Sequence, residues 1–259
     1  MPKPLILITN DDGITAPGLR MLIRFMKELG DVVVVAPDSP QSGMGHAITI
    51  DSTLYSKKVV IDSEHGAPEE FSCSGTPADC VKLALQELLP RRPDICVSGI
   101  NHGSNASINV IYSGTMSAAI EAGIEGIPAI GFSLCDYSWE ADFYPGREAI
   151  LKITREALEQ GIPQGVVLNV NIPRTKGEPV NGIRICRQAR ANWKEKFDKR
   201  MSPGGQEYYW LTGEFELLDK GKDTDHWALS QGYISVVPTM FDLTAHHAIQ
   251  DLNNWTLNE

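Results

Sequence analysis

Five apolar or β-branched residues, Leu5 to Thr9, are cut off by the polar turn Asn10-Asp11-Asp12-Gly13, the pattern of a strand buried on both faces that runs into a turn. From Gly18 to Leu29 the apolar positions Leu19, Leu22, Ile23, Met26 and Leu29 recur at helical spacing, and Val32 to Ala36 is a second uninterrupted apolar run. Strand, helix, strand in this order predicts a right-handed parallel crossover. After a Pro-, Ser- and Gly-rich loop from Pro37 to Gly45, the alternating stretches Ala47 to Tyr55 and Val59 to Ile61 read as paired strands at the sheet margin. Thr76-Pro77-Ala78-Asp79 then has the order of a helix start, with Thr76 as N-cap and Pro77 at the first helical position, and the helix should run to about Leu89. Further strands are expected at Ile95 to Ser98, Ala129 to Ser133 and Val166 to Val170. Helices should begin at Ser113-Gly114-Thr115, running through Ala118, Ala119 and Ala122, and near Arg147 to Gln160. The sum is a doubly wound, mostly parallel α/β sheet.

Beyond Pro173 the pattern changes. Gln206 to Glu216 and Gly232 to Val237 resemble β-ribbons more than crossover units. The chain is therefore expected to divide into a core over residues 1–173 and a β-ribbon appendage over 174–259 that packs back on it. The cluster Tyr208-Tyr209-Trp210 is costly to leave in water. It calls for either a subunit interface or packing of the ribbon on its own domain.

Composition narrows the class. With 259 residues, 42% hydrophobic and 22% charged, the chain is long enough for one large globular core and carries no low-complexity tract. A formal net charge of −10 argues against nucleic-acid polymers and anionic membranes, both of which need a basic face. A small phosphorylated ligand remains compatible, given a local counter-charge such as a metal ion. The five cysteines show no C-x-x-C spacing and read as buried thiols of a reducing compartment. No signal-peptide core or membrane-length apolar run is present, so the expected location is the cytoplasm.

In open α/β sheets, ligands bind outside the carboxyl ends of the strands. Three polar loops should converge there: Asn10-Asp11-Asp12-Gly13, Ser42-Gly43-Met44-Gly45-His46, and Ser98 to Asn105. Adjacent aspartates repel, and a fold accommodates them where a cation or strong donors offset the repulsion. Oxygen ligands from carboxylates, an amide and a hydroxyl suit a hard ion such as Mg²⁺ or Mn²⁺. The simpler alternative is that Asp11 or Asp12 caps the following helix or makes an Asx-turn. Ser113-Gly114-Thr115 adds a helix amino terminus able to hold phosphate through backbone N–H groups. His46 and His102 are given no catalytic role on sequence grounds. Walker, nucleophile-elbow and zincin motifs are absent.

Taken in order, several motifs resemble the SurE family of phosphatases, also described as 5'/3'-nucleotidases. They are Ile8-Thr9-Asn10-Asp11-Asp12-Gly13, Ser42 with Gly45-His46, Ser74 to Val81, Val97 to Asn101 with Gly103 and Asn105, Ser113-Gly114-Thr115, Asn169 to Pro173 and Gly232 to Val236. The resemblance spans nearly the whole chain. It implies a Rossmann-like fold and one divalent ion per subunit, Mg²⁺ or Mn²⁺, held by Asp11, Asp12, Ser42 and Asn101. It also implies Asp11 and Asp12 as the catalytic pair, with Asn10, Asn105, Ser113, Gly114 and Thr115 near the phosphate. The implied reaction is hydrolysis of nucleoside 5'- and 3'-monophosphates, with short polyphosphate as a further substrate, in a homodimer or homotetramer built through the carboxyl-terminal ribbon. A metal-dependent nucleoside hydrolase and a non-catalytic nucleotide sensor are the alternatives that the same pocket would serve.

Overall fold

The computed structural model describes residues 3–61, 68–138, 140–175 and 177–256. The first half alternates β1 (Leu5–Thr9), α1 (Pro17–Met26), β2 (Asp31–Pro37), β3 (Ser56–Val59), β4 (Glu69–Cys73) and α2 (Pro77–Leu83), the last continued by a π-helical turn over Ala84–Leu88. Then come β5 (Ile95–His102), α3 (Gly114–Ile124), β6 (Ala129–Leu134), α4 (Arg147–Gln160) and β7 (Val166–Ile172). The last third holds β8 (Ile183–Ile185), β9 (Ala191–Met201), β10 (Glu207–Leu217), α5 (Asp225–Ser230) and β11 (Ile234–Met240).

Nine strands form one sheet in the order β3-β4-β2-β1-β5-β6-β7-β11-β8, parallel from β4 to β7, with β3 and β11 antiparallel to their neighbours β4 and β7. Because side chains alternate along a strand, β1 feeds two cores. Ile6 and Ile8 join the α1 and α4 side, while Leu5 and Leu7 join the α2 and α3 side. The chain runs outward from β1 toward β2 and, after returning, outward from β5 in the other direction. That reversal opens a crevice between the carboxyl ends of β1 and β5.

Several expectations need correction. Ala47 to Tyr55 forms no strand. Its alternation reflects an extended segment pinned by side chains to the start of α2, where Thr49 donates both its N–H and its hydroxyl to the Asp79 carboxylate and Ala47 O accepts the Thr76 hydroxyl. Burial opposes ionisation of Asp79, but these donors and those of Thr76 outweigh it and hold the carboxyl below its usual range. Strand β4 was hidden by its two leading glutamates; Glu70 is buried and pairs with Arg20 of α1 at 2.6 Å. The helix begun at Gly18 ends at Met26, with Leu29 packed on the core from the turn beyond.

Gly232 to Val237, expected as ribbon, instead lies largely in β11 inside the main sheet, where it pairs with β7 and β8. Residues beyond 173 thus supply the last two strands of the sheet. What stands apart is the antiparallel hairpin β9–β10, whose Phe197, Tyr209, Trp210 and Leu211 are exposed.

The amino end of α1 approaches β5 without room for a side chain: a Cβ on Gly18 would lie 2.0 Å from the Ile100 carbonyl oxygen. That contact sets the height of β5 next to the crevice. Gly18→Ala should therefore destabilise the protein by about 1–3 kcal/mol by overpacking, outweighing the better helix propensity of alanine. Urea unfolding measures it, and wild-type stability in the variant would show that α1 does not pack here as described.

Candidate active site

The turn after β1 is closed by Asn10, whose Nδ2 donates to Gly13 O at 3.0 Å. It is tied to the loop after β2 by two backbone bonds, Gln41 N–H to Asp11 O at 2.7 Å and Ile14 N–H to Pro37 O at 2.8 Å. Asp11 is almost wholly buried. Thr115 donates its hydroxyl to Asp11 Oδ1 at 2.5 Å, and Gly114 lies so close that a Cβ there would be 2.7 Å from Asp11 Cβ. Burial pushes the Asp11 carboxyl up to about 6; the Thr115 hydrogen bond works against that rise and the charge of Asp12 adds to it. Burial also raises Asp12, whose Oδ2 accepts the His102 N–H at 3.3 Å.

Strand β5 supplies the facing residues, and its pairing with β6 slips between Ser98 and Asn101. Asn101 donates Nδ2 to Gly103 O at 2.9 Å, which leaves its amide oxygen for another partner. Asn105 sits in a fully buried amide network: its N–H goes to Asn171 Oδ1 and its Nδ2 to Ser133 Oγ, both at 2.8 Å, while Asn169 Nδ2 donates to its carbonyl oxygen at 2.8 Å. Asn171 Nδ2 in turn donates to Asn169 Oδ1 at 2.9 Å. Residues 169 and 171 share one face of β7, so two asparagines in an otherwise apolar strand hold the loop after β5 in place.

Ser113 caps α3 by accepting the Met116 N–H at 3.0 Å, and no acidic residue occupies the first turn of that helix. Among the described residues, the carboxylate brought against its positive end is that of Asp11, from the crevice itself. Ser42 is exposed on the loop after β2. That loop is held at its far end by His46, whose Nε2 lies 2.8 Å from the buried Glu121 carboxylate of α3, which also takes Lys82 at 2.6 Å.

These elements enclose a cleft of about 300 Å³. Asp11, Ser42, Asn101, Asn105 and Ser113 line it together. Asn10, Gly114 and Thr115 stand behind Asp11, not on the cleft surface: Asn10 and Thr115 are fully buried, and the Thr115 hydroxyl is committed to Asp11. Asp12 abuts the cleft through His102. Ser104, in the loop expected at the crevice, lines the cleft too; the sequence reading missed Asn109, Tyr112, Tyr137 and Trp193, which form the remaining walls. Trp193 comes from the hairpin β9–β10, and no local pattern ties it to a loop more than eighty residues earlier.

Among the described residues no group of three or more His, Cys, Asp and Glu side chains is arranged to hold a metal. The arrangement offered is instead two carboxylates with neutral amide and hydroxyl oxygens. Around it, Thr9 Oγ1, Asn10 Oδ1 and Ser98 Oγ are buried with no hydrogen-bond partner among the described residues. Unpartnered oxygens beside two carboxylates whose ionisation burial disfavours are a setting that a hard divalent cation and its waters suit.

The family model described as survival protein SurE matches residues 6–195. A 5'-nucleotidase SurE of Flavobacterium psychrophilum is 68% identical over 259 residues, covering 100% of both chains. One from Christiangramia forsetii is 68% identical over 257 residues, covering 99% of this chain and 98% of its own. The crystal structure of the SurE protein from Aquifex aeolicus superposes with a TM-score of 0.82 at 38% identity, covering 96% of this chain and 98% of that one. The chain belongs to the survival protein SurE family.

Proposed function

We propose that this protein is a divalent-metal-dependent 5'-nucleotidase, a phosphoric monoester hydrolase that converts nucleoside monophosphates to nucleoside and phosphate. The observation that carries the reading is the buried Asp11 carboxylate on a cleft shared with Ser42, Asn101 and Ser113 at the β1/β5 crevice. The naming of full-length relatives as 5'-nucleotidases supports the substrate. Nucleoside 3'-monophosphates and short polyphosphate are further substrates consistent with the family. Asp11, Asp12, Ser42 and Asn101 would hold one Mg²⁺ or Mn²⁺. When bound, such an ion polarises a phosphate oxygen and acidifies a water.

The chain's own groups do the rest. Thr115 fixes Asp11 by donating to Oδ1, which would hold the carboxylate ready as a ligand. Ser113 spends a lone pair on the Met116 N–H and keeps its hydroxyl proton to donate to phosphate at the positive end of α3. Asn105, locked by Asn169 and Asn171, lines the same cleft and would offer it the amide hydrogen that Ser133 does not take. One of the two aspartates orients the attacking water and takes its proton.

Among the described residues no helix is long and apolar enough to cross a membrane. The five free cysteines support a cytoplasmic setting. The exposed Phe197, Tyr209, Trp210 and Leu211 of the hairpin support assembly into a homodimer or homotetramer through it.

Incubation with AMP and Mn²⁺ should release phosphate, and EDTA should abolish the release until Mn²⁺ is restored. Free adenine as product would point to a nucleoside hydrolase, and binding without turnover to a sensor. Asp11→Asn should lower kcat by about 10²–10⁴-fold with the fold retained.

The same variant has an opposite effect on stability. In metal-free protein the Asp11 carboxyl, at about 6, sits above its ordinary 3.8. Its contribution to stability is complete below pH 3.8 and is lost as pH rises through about 6. A shift of that size corresponds to about 3 kcal/mol. Asp11→Asn should therefore stabilise EDTA-treated protein by up to about 3 kcal/mol above pH 7 and by well under about 1 kcal/mol near pH 4. Urea unfolding at both pH values reads it, and a gain independent of pH would remove the carboxylate from the explanation.

A further inference from the structure

The cleft combines two chemistries from different parts of the fold. Its oxygen-bearing residues come from the ends of β1 and β5 and the start of α3; its aromatic walls, Tyr112 and Trp193, come from the loop before α3 and from β9. The second set is braced from one place. Asp225, the first residue of α5, is fully buried and far from the oxygen set in sequence. Its Oδ2 accepts the Ser107 N–H at 2.8 Å, and its Oδ1 accepts the Ala189 N–H at 2.9 Å and the His226 N–H at 2.7 Å.

Ser107 begins the 3₁₀ segment Ser107–Tyr112 that carries Asn109 and Tyr112 to the cleft, and Ala189 lies just ahead of β9. Ser107 has a φ of +58°, in the left-handed region that a non-glycine residue occupies only when its surroundings hold it there. Its hydroxyl adds a further tie, donating to Ala189 O at 2.8 Å. The residue after Asp225 continues the brace. The His226 ring stacks on Phe215, which meets Trp193 edge-on with centroids 5.5 Å apart, and Trp193 Nε1 donates to Asn109 Oδ1 at 2.9 Å.

We propose that Asp225 is a positioning residue for the nucleoside end of the substrate: by gathering three backbone N–H groups it fixes the Ser107–Tyr112 segment and the hairpin relative to each other, and so sets the aromatic wall on which the base rests. The inference rests on the nucleotidase reading above. It assigns Asp225 no contact with the phosphate, the metal or the attacking water. A carboxylate is the side chain that serves here, because it presents an acceptor on each of its two oxygens. An amide in its place turns an NH₂ group toward a backbone N–H.

Asp225→Asn separates this role from a general structural one. KM for AMP should rise about tenfold, the size expected from losing a base–aromatic stack, with kcat nearly unchanged. KM for ribose 5-phosphate and the Mn²⁺ concentration for half-activation should stay at their wild-type values. Equal losses on both substrates, or an unchanged KM for AMP, would overturn the proposal. If Asp225→Asn does not fold, Ser107→Ala decides: it deletes only the hydroxyl tie to Ala189 and should show the same AMP-selective rise, smaller in size, while absence of that selectivity counts against the brace. AMP affinity by calorimetry runs alongside. A wild-type protein that binds AMP without hydrolysing it refutes the nucleotidase reading, yet the brace survives if Asp225→Asn weakens that binding and falls if it does not.

Discussion

The hydrogen bond from Thr115 to Asp11 joins the end of the first strand to the first turn of α3, and most of the site is arranged around it. A carboxylate removed from water is costly unless donors or a cation attend it. Here one hydroxyl attends Oδ1, and the close approach of Gly114 leaves no space for a side chain that would push the strand and helix apart. The remaining burial cost shows in the upward displacement of the carboxyl to about 6. Asp12, next in the chain, is displaced in the same direction. The protein thus holds two carboxylates in a setting that disfavours their charge, a cost that the proposed divalent ion would relieve.

How far the sequence revealed this depends on the range of the interaction. Strands β1 and β2 are near-continuous apolar runs, β5, β6 and β7 each open on apolar residues, and the starts of α2 and α3 carry their own caps, Thr76 and Ser113. Such features are local and could be read directly. Strand β4 could not, because its glutamate is neutralised by Arg20, fifty residues earlier in the chain. Ala47 to Tyr55 misled for the converse reason: its alternation is satisfied by Asp79 in place of a neighbouring strand. At the site, the polar residues at strand ends were legible as candidates. That Thr115 serves Asp11, while Ser113 reaches the cleft, follows from packing that spacing cannot display.

The last third of the chain shows the same division. Its pattern after residue 173 reads as unlike the core, and the hairpin β9–β10 is indeed a separate two-stranded sheet. Yet β11 and β8 complete the main sheet on either side of that hairpin in sequence, so both of its ends return to the core. Arg187, paired with Asp219 and Asp223, ties together the connections that enter and leave the hairpin at its base. Exposed ion pairs of this kind contribute little individually. The buried Asp225 does more, since all three of its donors are backbone groups that lose their partner together if it is removed.

An acidic protein that binds a phosphorylated ligand must reverse its own field locally. The net charge of −10 acts over distances at which salt screens it strongly, whereas the cleft acts within a few ångströms. At that range the amino end of α3, with no acidic residue in its first turn, favours an anion, as would the proposed cation held by Asp11 and Asp12. The exposed aromatic wall needs no charge to contribute, because a base offers a π-face and an apolar area whatever the charge of its phosphate. Division of labour between a charged end and an aromatic end explains why the cleft draws on both halves of the chain. It also explains why the hairpin, remote from Asp11 in sequence, has to be held in a definite position relative to it.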